Sequence, residues 1–193
     1  WERDGSVHDL GNLGGTVNTS VLGVGNVAFS INNRGQVAGV SALRGNTTFH
    51  PFLWSRETGM QDLGVLPGDL VGASLGMNNQ GDVVGASISA PGIASGNPRA
   101  FLRHNGAMSD LNALVPANTP LYLLIAYGIN DSGQIAGFGV DNNGDIHAFL
   151  ATPCRKEDDS EGAALAEQAG SSEGRKVVLT ENVRKRLQSL LRF

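Results

Sequence analysis

The chain has 193 residues and a formal net charge of −4, with 17% charged and 40% hydrophobic residues. The hydrophobic content is enough for a packed core. No run of 18 apolar residues is present to span a membrane. Residues 1–154 carry a net negative charge, which argues against nucleic acid as a partner because phosphate binding needs a basic surface. Gly contributes 27 residues, about twice its average share, as in chains built from turns and small-residue strands.

Three phrases recur in a constant order along the chain. The first is SINNRGQVAG at Ser30–Gly39, GMNNQGDVVG at Gly76–Gly85 and GINDSGQIAG at Gly128–Gly137, at spacings of 46 and 52 residues. The second is HPFLW at His50–Trp54, RAFLR at Arg99–Arg103 and HAFLA at His147–Ala151. The third is His8-Asp9-Leu10, Gln61-Asp62-Leu63 and Ser109-Asp110-Leu111. A period of roughly 20–50 residues predicts a propeller, a solenoid or an array.

Each repeat begins with a predicted strand in which Val27, Phe29 and Ile31 alternate with small residues. Period two with one apolar face is typical of a half-buried strand. The matching residues are Ala73, Leu75 and Met77 in the second copy and Ile125, Tyr127 and Ile129 in the third. We expect these side chains to be buried in every copy.

An Asn/Asp-rich turn ending in Gly follows this strand in each copy. The turns are Asn32–Gly35, Asn78–Gly81 and Asn130–Gly133, and the second strands after them are Gln36–Ser41, Asp82–Ser87 and Gln134–Gly139. Asn and Gly tolerate the positive φ of hairpin turns, so we predict exposed hairpins here. Gly39, Gly85 and Gly137 interrupt the second strands, and a Gly in a strand allows backbones to approach closely.

The second phrase predicts a third strand, and the stretch ending in Asp-Leu predicts a fourth. Short connections such as Asp141–Gly144 and His104–Gly106 favour an antiparallel meander, whereas the longer links Gly64–Gly72 and Asn112–Pro120 suit a crossing between sheets. Four strands in about 48 residues match a blade, so we predict an all-β fold of about three four-stranded propeller blades. A parallel β-helix is disfavoured because hairpin turns do not fit its coils.

The phase of the repeats leaves the predicted propeller open. Val7–Leu10 is a remnant fourth strand that has no first three strands before it, and the last copy ends after three strands at Leu150. The remnant would complete the last blade if the chain closed on itself. Three blades are fewer than the usual four to eight. The chain is therefore expected to be the C-terminal part of a longer propeller, or else two chains combine into six blades. Open blade edges predict self-association.

A change of composition after Cys154 separates a tail from the repeats. We predict a repeat domain at 1–153, a disordered acidic linker at 154–174 and a short amphipathic basic helix at 175–193. In the helix Val183, Leu187, Leu190 and Leu191 form an apolar stripe. Thr180 and Glu181 mark its start. The tail is expected to be independent of the blades.

The sequence contains only weak matches to motifs for catalysis, cofactor binding or metal binding. Gly23–Ala28 matches a dinucleotide pattern, but a strand pattern follows it where a helix is needed. Asp141–Asp145 resembles the start of a calcium loop without its last carboxylate, so a plain turn is favoured. His50 and His147 share one repeat position, which favours an architectural role for them. The recurring Asp9, Asp62 and Asp110 could form a ring of carboxylates, but they are better explained as residues that form hydrogen bonds at turns or strand ends. Cys154 is predicted to be an inert thiol or a crosslink to another chain. We therefore predict no catalytic, cofactor-binding or metal-binding residues.

The phrases His147-Ala148-Phe149, Asp62-Leu63-Gly64 and Ile129-Asn130 with Gly133-Gln134 resemble the bacterial HAF-repeat proteins over about residues 1–153. This family is described as extracellular repeat proteins. The resemblance implies secretion or surface display, and it carries no catalytic residues to transfer. We therefore predict a non-enzymatic scaffold that binds an unknown protein or glycan. The alternative is a carbohydrate-active enzyme, or part of one, with its site on the propeller funnel or in missing blades.

Overall fold

The computed structural model describes residues 5–15, 25–46, 48–89, 96–154 and 179–190, and in the last of these ranges it describes side chains up to residue 185. Eleven strands form three antiparallel sheets, as the repeats predicted. A 3₁₀ turn at Leu111–Ala113 and one helix are the other regular elements of these residues. In the described ranges, no helix is long and apolar enough to cross a membrane.

Each repeat forms one sheet whose strands are paired in chain order. Sheet 1 consists of β1 Val27–Ile31, β2 Val37–Ala42, β3 Phe49–Ser55 and β4 Gly59–Asp62. Sheet 2 consists of β5 Val71–Met77, β6 Val83–Ile88, β7 Pro98–His104 and β8 Ala107–Asp110. Sheet 3 consists of β9 Tyr122–Ile129, β10 Ile135–Val140 and β11 Ile146–Ala151. Among the described residues, sheet 3 therefore has three strands, with β11 at its edge.

The hairpin between the first two strands has the same hydrogen bonds in all three sheets. In sheet 1 the Oδ1 atom of Asn32 accepts bonds from the backbone N–H groups of Arg34 and Gln36, both at 3.0 Å. Gly35 closes the turn with φ +71°, a value that Gly adopts without steric cost. Asn78 and Asn130 make the corresponding bonds in sheets 2 and 3. The phrase repeats because this turn repeats.

A glycine in the middle of each second strand makes room for the third and first strands. A Cβ atom on Gly85 would overlap the carbonyl oxygen of Ala73 and lie 2.9 Å from the Phe101 ring. Gly39 has the same relation to Val27 and Phe52, and Gly137 has it to Ile125 and Phe149. The Gly of the first phrase and the Phe of the second are therefore packing partners.

The three sheets are stacked with sheet 2 in the middle. β5 packs against β1, β2 and β3, and β9 packs against β5, β6 and β7. The core between sheets 1 and 2 includes Ala38, Leu53, Leu66, Met77, Val83 and Phe101. The core between sheets 2 and 3 includes Val84, Ala100, Leu111, Leu123, Ala126 and Ile135. In the described part of the chain this is a propeller-like arrangement of three blades that does not close into a ring.

Burial of the first strands differs from the expectation. Met77 is 8% exposed in the middle sheet, but its counterpart Ile31 is 70% exposed in sheet 1. Phe29 and Tyr127 are each 41% exposed. The prediction that all nine residues are buried is wrong for these three, because in the described ranges sheets 1 and 3 each have a face with no neighbouring sheet. Val27, Leu75 and Ile129 are only half-buried. Asn78 is 4% exposed, so the prediction of exposed turns is also wrong at this position.

The helix α1, Glu181–Leu190, begins where the sequence predicted. The Thr180 hydroxyl accepts a bond from the Val183 N–H group at 3.4 Å. Leu179 and Val183 are 4% and 3% exposed and belong to a third buried cluster with Val140. The expected independence of the tail from the blades is therefore wrong for residues 179–183. The linker predicted at 154–174 lies outside the described residues except for Cys154, and the division into domains stays a prediction.

Candidate binding face

The meander places two kinds of connection at opposite ends of the sheets. We call the end with the three Asn-x-x-Gly turns the ladder face. We call the other end, with the loops between second and third strands and the links between sheets, the variable face. The repeats agree in sequence at the Asn-x-x-Gly turns of the ladder face, whereas the links 63–70 and 111–121 on the variable face differ in length and sequence.

Side chains on the ladder face bond to one another between sheets. Asn32 Nδ2 donates to the carbonyl oxygen of Asn78 at 3.0 Å, and Asn78 Nδ2 donates to that of Asn130 at 3.2 Å. Asp131 accepts bonds from both the backbone N–H and the side-chain amide of Asn79, at 2.8 and 2.7 Å. These bonds lower the pKa of Asp131. The polar groups of the repeated turns thus join the sheets together.

The aspartates of the third phrase accept backbone hydrogen bonds, as the sequence analysis favoured, and Asp62 and Asp110 do so at the ends of β4 and β8. The Oδ1 atom of each accepts the backbone N–H two residues on: Gly11 for Asp9, Gly64 for Asp62 and Asn112 for Asp110, at 2.9, 2.8 and 2.9 Å. An aspartate in this position mimics a backbone turn. These carboxylates therefore have a structural role in starting the link to the next sheet.

The first residue of the second phrase reaches the aspartate of the third. His50 Nδ1 lies 2.9 Å from Asp62 Oδ1, and Arg99 Nη1 lies 3.1 Å from Asp110 Oδ2. His147 occupies the same strand position in sheet 3, where its Nε2 atom lies 3.7 Å from Asp141 Oδ2. His50 therefore ties β3 to the end of β4, whereas His147 at the same repeat position has a different partner.

Arg99 is the centre of a polar cluster. Its guanidinium also contacts Asp69, at 3.0 Å from Nη2, and donates to the Pro67 carbonyl at 3.0 Å. Burial lowers the pKa of Arg99, but attraction to Asp69 and Asp110 outweighs it and the net direction is upward. Burial and then the charge of Asp110 raise the pKa of Tyr122 to about 12. Two carboxylates share one guanidinium, so the cluster keeps a net negative charge, and the Asp69 side chain is only 2% exposed.

The sequence analysis missed two features of the links. The hydroxyls of Ser41 and Ser87 accept the N–H groups of Leu13 and Leu66, at 2.9 and 3.0 Å. The Asn112 side chain bonds to both backbone groups of Leu123. Its Nδ2 atom donates to the Leu123 carbonyl at 3.0 Å, and its Oδ1 atom accepts the Leu123 N–H at 2.7 Å. The recurrence of Ser after the second-strand Gly was the available signal for the first feature. Nothing in the repeat pattern indicated Asp69 or Asn112.

The variable face presents apolar and basic side chains to solvent. Leu70 and Leu114, which lie in the two links, are 46% and 55% exposed. Arg44 is exposed in the β2–β3 loop, which is closed by a bond from Asn46 N–H to the Leu43 carbonyl at 3.0 Å. An apolar and a basic group on rigidly anchored loops are suited to binding.

The remaining candidate motifs have structural explanations where they are described. Asp141 Oδ1 accepts bonds from Asn143 and Asp145 N–H groups at 2.8 and 2.9 Å, which confirms the plain turn. A strand begins at Val27, as predicted for the glycine-rich stretch before it. Cys154 is exposed. Among the described residues, no group of three or more His, Cys, Asp or Glu side chains is arranged to hold a metal ion.

Comparison of the chain with protein-family models, with curated proteins and with solved structures finds no match in any of the three.

Proposed function

We propose that the chain is a non-enzymatic repeat scaffold that binds a protein or carbohydrate ligand through the variable face. The observation that carries this proposal is the contrast between the two faces. The polar groups of the ladder face bond to one another, whereas Arg44, Leu70 and Leu114 on the variable face are exposed. A scaffold that is repeated for stability and varied for recognition has this distribution.

The competing function, carbohydrate hydrolysis, needs two carboxylates about 5–10 Å apart that are open to sugar and water. Asp69 and Asp110 are a candidate pair, since both contact Arg99. The guanidinium lies between them and satisfies them both, and the Asp69 side chain is buried. This arrangement favours an ion-pair network that attaches the link between β4 and β5 to strand β7. It does not favour a catalytic acid and base pair.

Secretion or surface display is part of the same proposal, and it depends on the resemblance to HAF-repeat proteins. Membership of that family is itself a proposal, supported by the three phrases and by the structural role that each phrase has in the sheets.

Binding to insoluble cellulose, chitin and starch, and to proteins immobilised from a bacterial envelope fraction, tests the function. We expect retention on at least one of these supports. Leu114→Ser and Arg44→Glu should reduce it at least tenfold, whereas the ladder-face control Arg34→Glu should not. Reducing-sugar release should stay at the background level.

Two results would contradict the proposal. Release of reducing sugar that is abolished by Asp69→Asn or Asp110→Asn would favour the enzyme. Retention that is lost with Arg34→Glu and kept with Leu114→Ser would place the binding surface on the ladder face instead.

A further inference from the structure

The third phrase occurs three times, but it forms a paired strand only twice. β4 pairs with β3 and β8 pairs with β7 in the same register: Phe52 lies opposite Asp62, and Phe101 lies opposite Asp110. The first copy of the phrase, at Val7–Leu10, lies outside any strand, and Val7 is 92% exposed. Its turn is nevertheless formed, because Asp9 accepts the Gly11 N–H at 2.9 Å.

Sheet 3 has a third strand but no described fourth strand to pair with it. β11 carries the second phrase, as β3 and β7 do, and it pairs with β10 on one side. In the described ranges no fourth strand covers its other side, where β4 and β8 lie in the other sheets. An edge strand presents unpaired N–H and C=O groups and is a template for strand addition.

We propose that β11 of one copy of this chain pairs with Val7–Asp9 of a second copy, which then supplies its missing fourth strand. The register of β3–β4 and β7–β8 places Phe149 opposite Asp9, Leu150 opposite His8 and Ala151 opposite Val7. Asp9 then meets His147 as Asp62 meets His50 and Asp110 meets Arg99.

The anchoring of the N-terminal segment to sheet 1 favours a second copy over the same chain as its partner. Leu13 N–H bonds to Ser41 Oγ at 2.9 Å, Gly15 N–H bonds to the Ala42 carbonyl at 3.0 Å, and the His8 ring lies 5.4 Å from that of Trp54. All three partners belong to sheet 1. Sheet 2 stands between this segment and β11, so the segment and the β11 edge of one chain lie at opposite ends of the stack.

The exposed apolar side chains favour the same contact. Of the seven large ones in the described ranges, five lie at the two ends of the stack: Val7, Phe29, Ile31, Tyr127 and Leu150. Leu150 is 66% exposed, whereas its counterpart Leu53, which faces sheet 2, is 9% exposed. Stacking sheet 3 of one copy on sheet 1 of the next would bury Leu150 in the same way.

The ladder continues across this contact. Asn32 and Asn78 each donate to the asparagine carbonyl of the next sheet, so Asn130 Nδ2 of one copy would donate to the Asn32 carbonyl of the other. Two such contacts related by a two-fold axis close a ring of six sheets, within the range of about four to eight blades. The helix α1 contacts the hairpin near Gly144, at the opposite end of β11 from Leu150.

Disulfide trapping tests the register. In a Cys154→Ser background, chains with Val7→Cys alone are mixed with chains with Ala151→Cys alone under mild oxidation. We expect a covalent dimer on a non-reducing gel. The matched control pairs Val7→Cys with Asn143→Cys, an exposed turn residue outside the contact, and should crosslink at least tenfold less. A monomer-sized product with an internal disulfide when both cysteines are in one chain would overturn the proposal, as would equal crosslinking in the control.

Sedimentation equilibrium of the whole chain is the second measurement. We expect a species of twice the chain mass of 20.1 kDa. Leu150→Arg should shift it to the monomer, whereas Leu114→Arg, at a leucine of similar exposure on the variable face, should not. Circular dichroism checks that both variants fold. A monomer at every concentration up to the highest soluble one would overturn the proposal, as would polydisperse aggregates that are equally reduced by both variants.

Discussion

Sheet 2 and the two outer sheets contain the same phrases but bury them differently. Met77 in sheet 2 is 8% exposed, and Ile31, at the same repeat position in sheet 1, is 70% exposed. Leu53, which faces sheet 2, is 9% exposed, and Leu150, which faces away from it, is 66% exposed. The local sequence sets which side chains are on one face of a strand, and the neighbouring sheet decides whether that face is buried. Substitutions at matched positions should therefore have unequal effects.

The largest expected effect is at the glycine of the middle sheet. Gly85→Ala forces a methyl group into the Ala73 carbonyl and the Phe101 ring, so we expect a loss at or above the upper end of the about 1–3 kcal/mol that overpacking costs. Gly137→Ala should cost less because the edge strand β11 is free to shift. Urea unfolding measures both, with Gly128→Ala, which has open space around it, as the control. Equal losses for Gly85→Ala and Gly128→Ala would contradict the packing argument.

The leucines of the second phrase give the next largest difference. Leu53→Ala removes a buried side chain and should lower the free energy of unfolding by about 2–5 kcal/mol. Leu150→Ala should change it by less than about 0.5 kcal/mol when the chain is monomeric. Thermal unfolding at a low protein concentration compares the two. A large loss for Leu150→Ala under these conditions would show that the outer face of sheet 3 is already covered within one chain.

The start of helix α1 is packed against the sheets, unlike the exposed faces of sheets 1 and 3. Val183→Ala should lower the free energy of unfolding by about 1.5 kcal/mol, since it removes two buried carbon atoms. Lys185→Ala is the matched control because the Lys185 side chain is 69% exposed and pairs with Glu181, which is 81% exposed. Chemical denaturation of both variants measures the difference. If Val183→Ala causes no loss of stability, the original prediction that the tail is independent of the blades would stand.

Tyr122, at the contact between sheets 2 and 3, makes stability sensitive to alkali. Burial raises its pKa to about 12, above the value of about 10 in the unfolded chain. The unfolded state therefore loses its proton first, and stability that is complete below pH 10 falls as the pH rises toward 12. Denaturant titrations between pH 9 and 11.5 should show this decline, and Tyr122→Phe should reduce it. A decline of the same size in Tyr122→Phe would assign it to other groups.

The smallest expected effect is a gain at Ser74. Its hydroxyl is buried in the middle sheet and is one of two buried side-chain atoms without a hydrogen-bond partner among the described residues. The counterparts in the outer sheets are Ala28 and Ala126. Ser74→Ala should raise the free energy of unfolding by about 1 kcal/mol, because an unsatisfied buried polar group costs about that much. Destabilisation would indicate that the hydroxyl has a partner in solution, and Ser87→Ala, which removes the acceptor for Leu66, provides the contrasting loss.

Much of the fold followed from local patterns. The Asn-x-x-Gly turns, the second-strand glycines and the strand order are local or nearly local in sequence, and three copies allowed each pattern to be read against the others. The polar cluster did not follow, because Asp69 occurs in one link and has no counterpart at the same position in the others. The contacts of α1 also did not follow, since Leu179 and Val183 are separated from the sheets by residues with no apolar periodicity.

The sequence by itself determined the three antiparallel meanders, their turns and the position of the helix, because hydrogen-bonded hairpins and helix caps depend on residues a few positions apart. Only the tertiary structure decided which faces are buried, which aspartate meets which base, and where the helix packs. Those properties depend on the order in which sheets stack and on residues 12 to 87 positions apart in the chain. The two outer sheets show this most clearly. Their apolar side chains stand at repeat positions that are buried in sheet 2, but they remain exposed because no described sheet covers them.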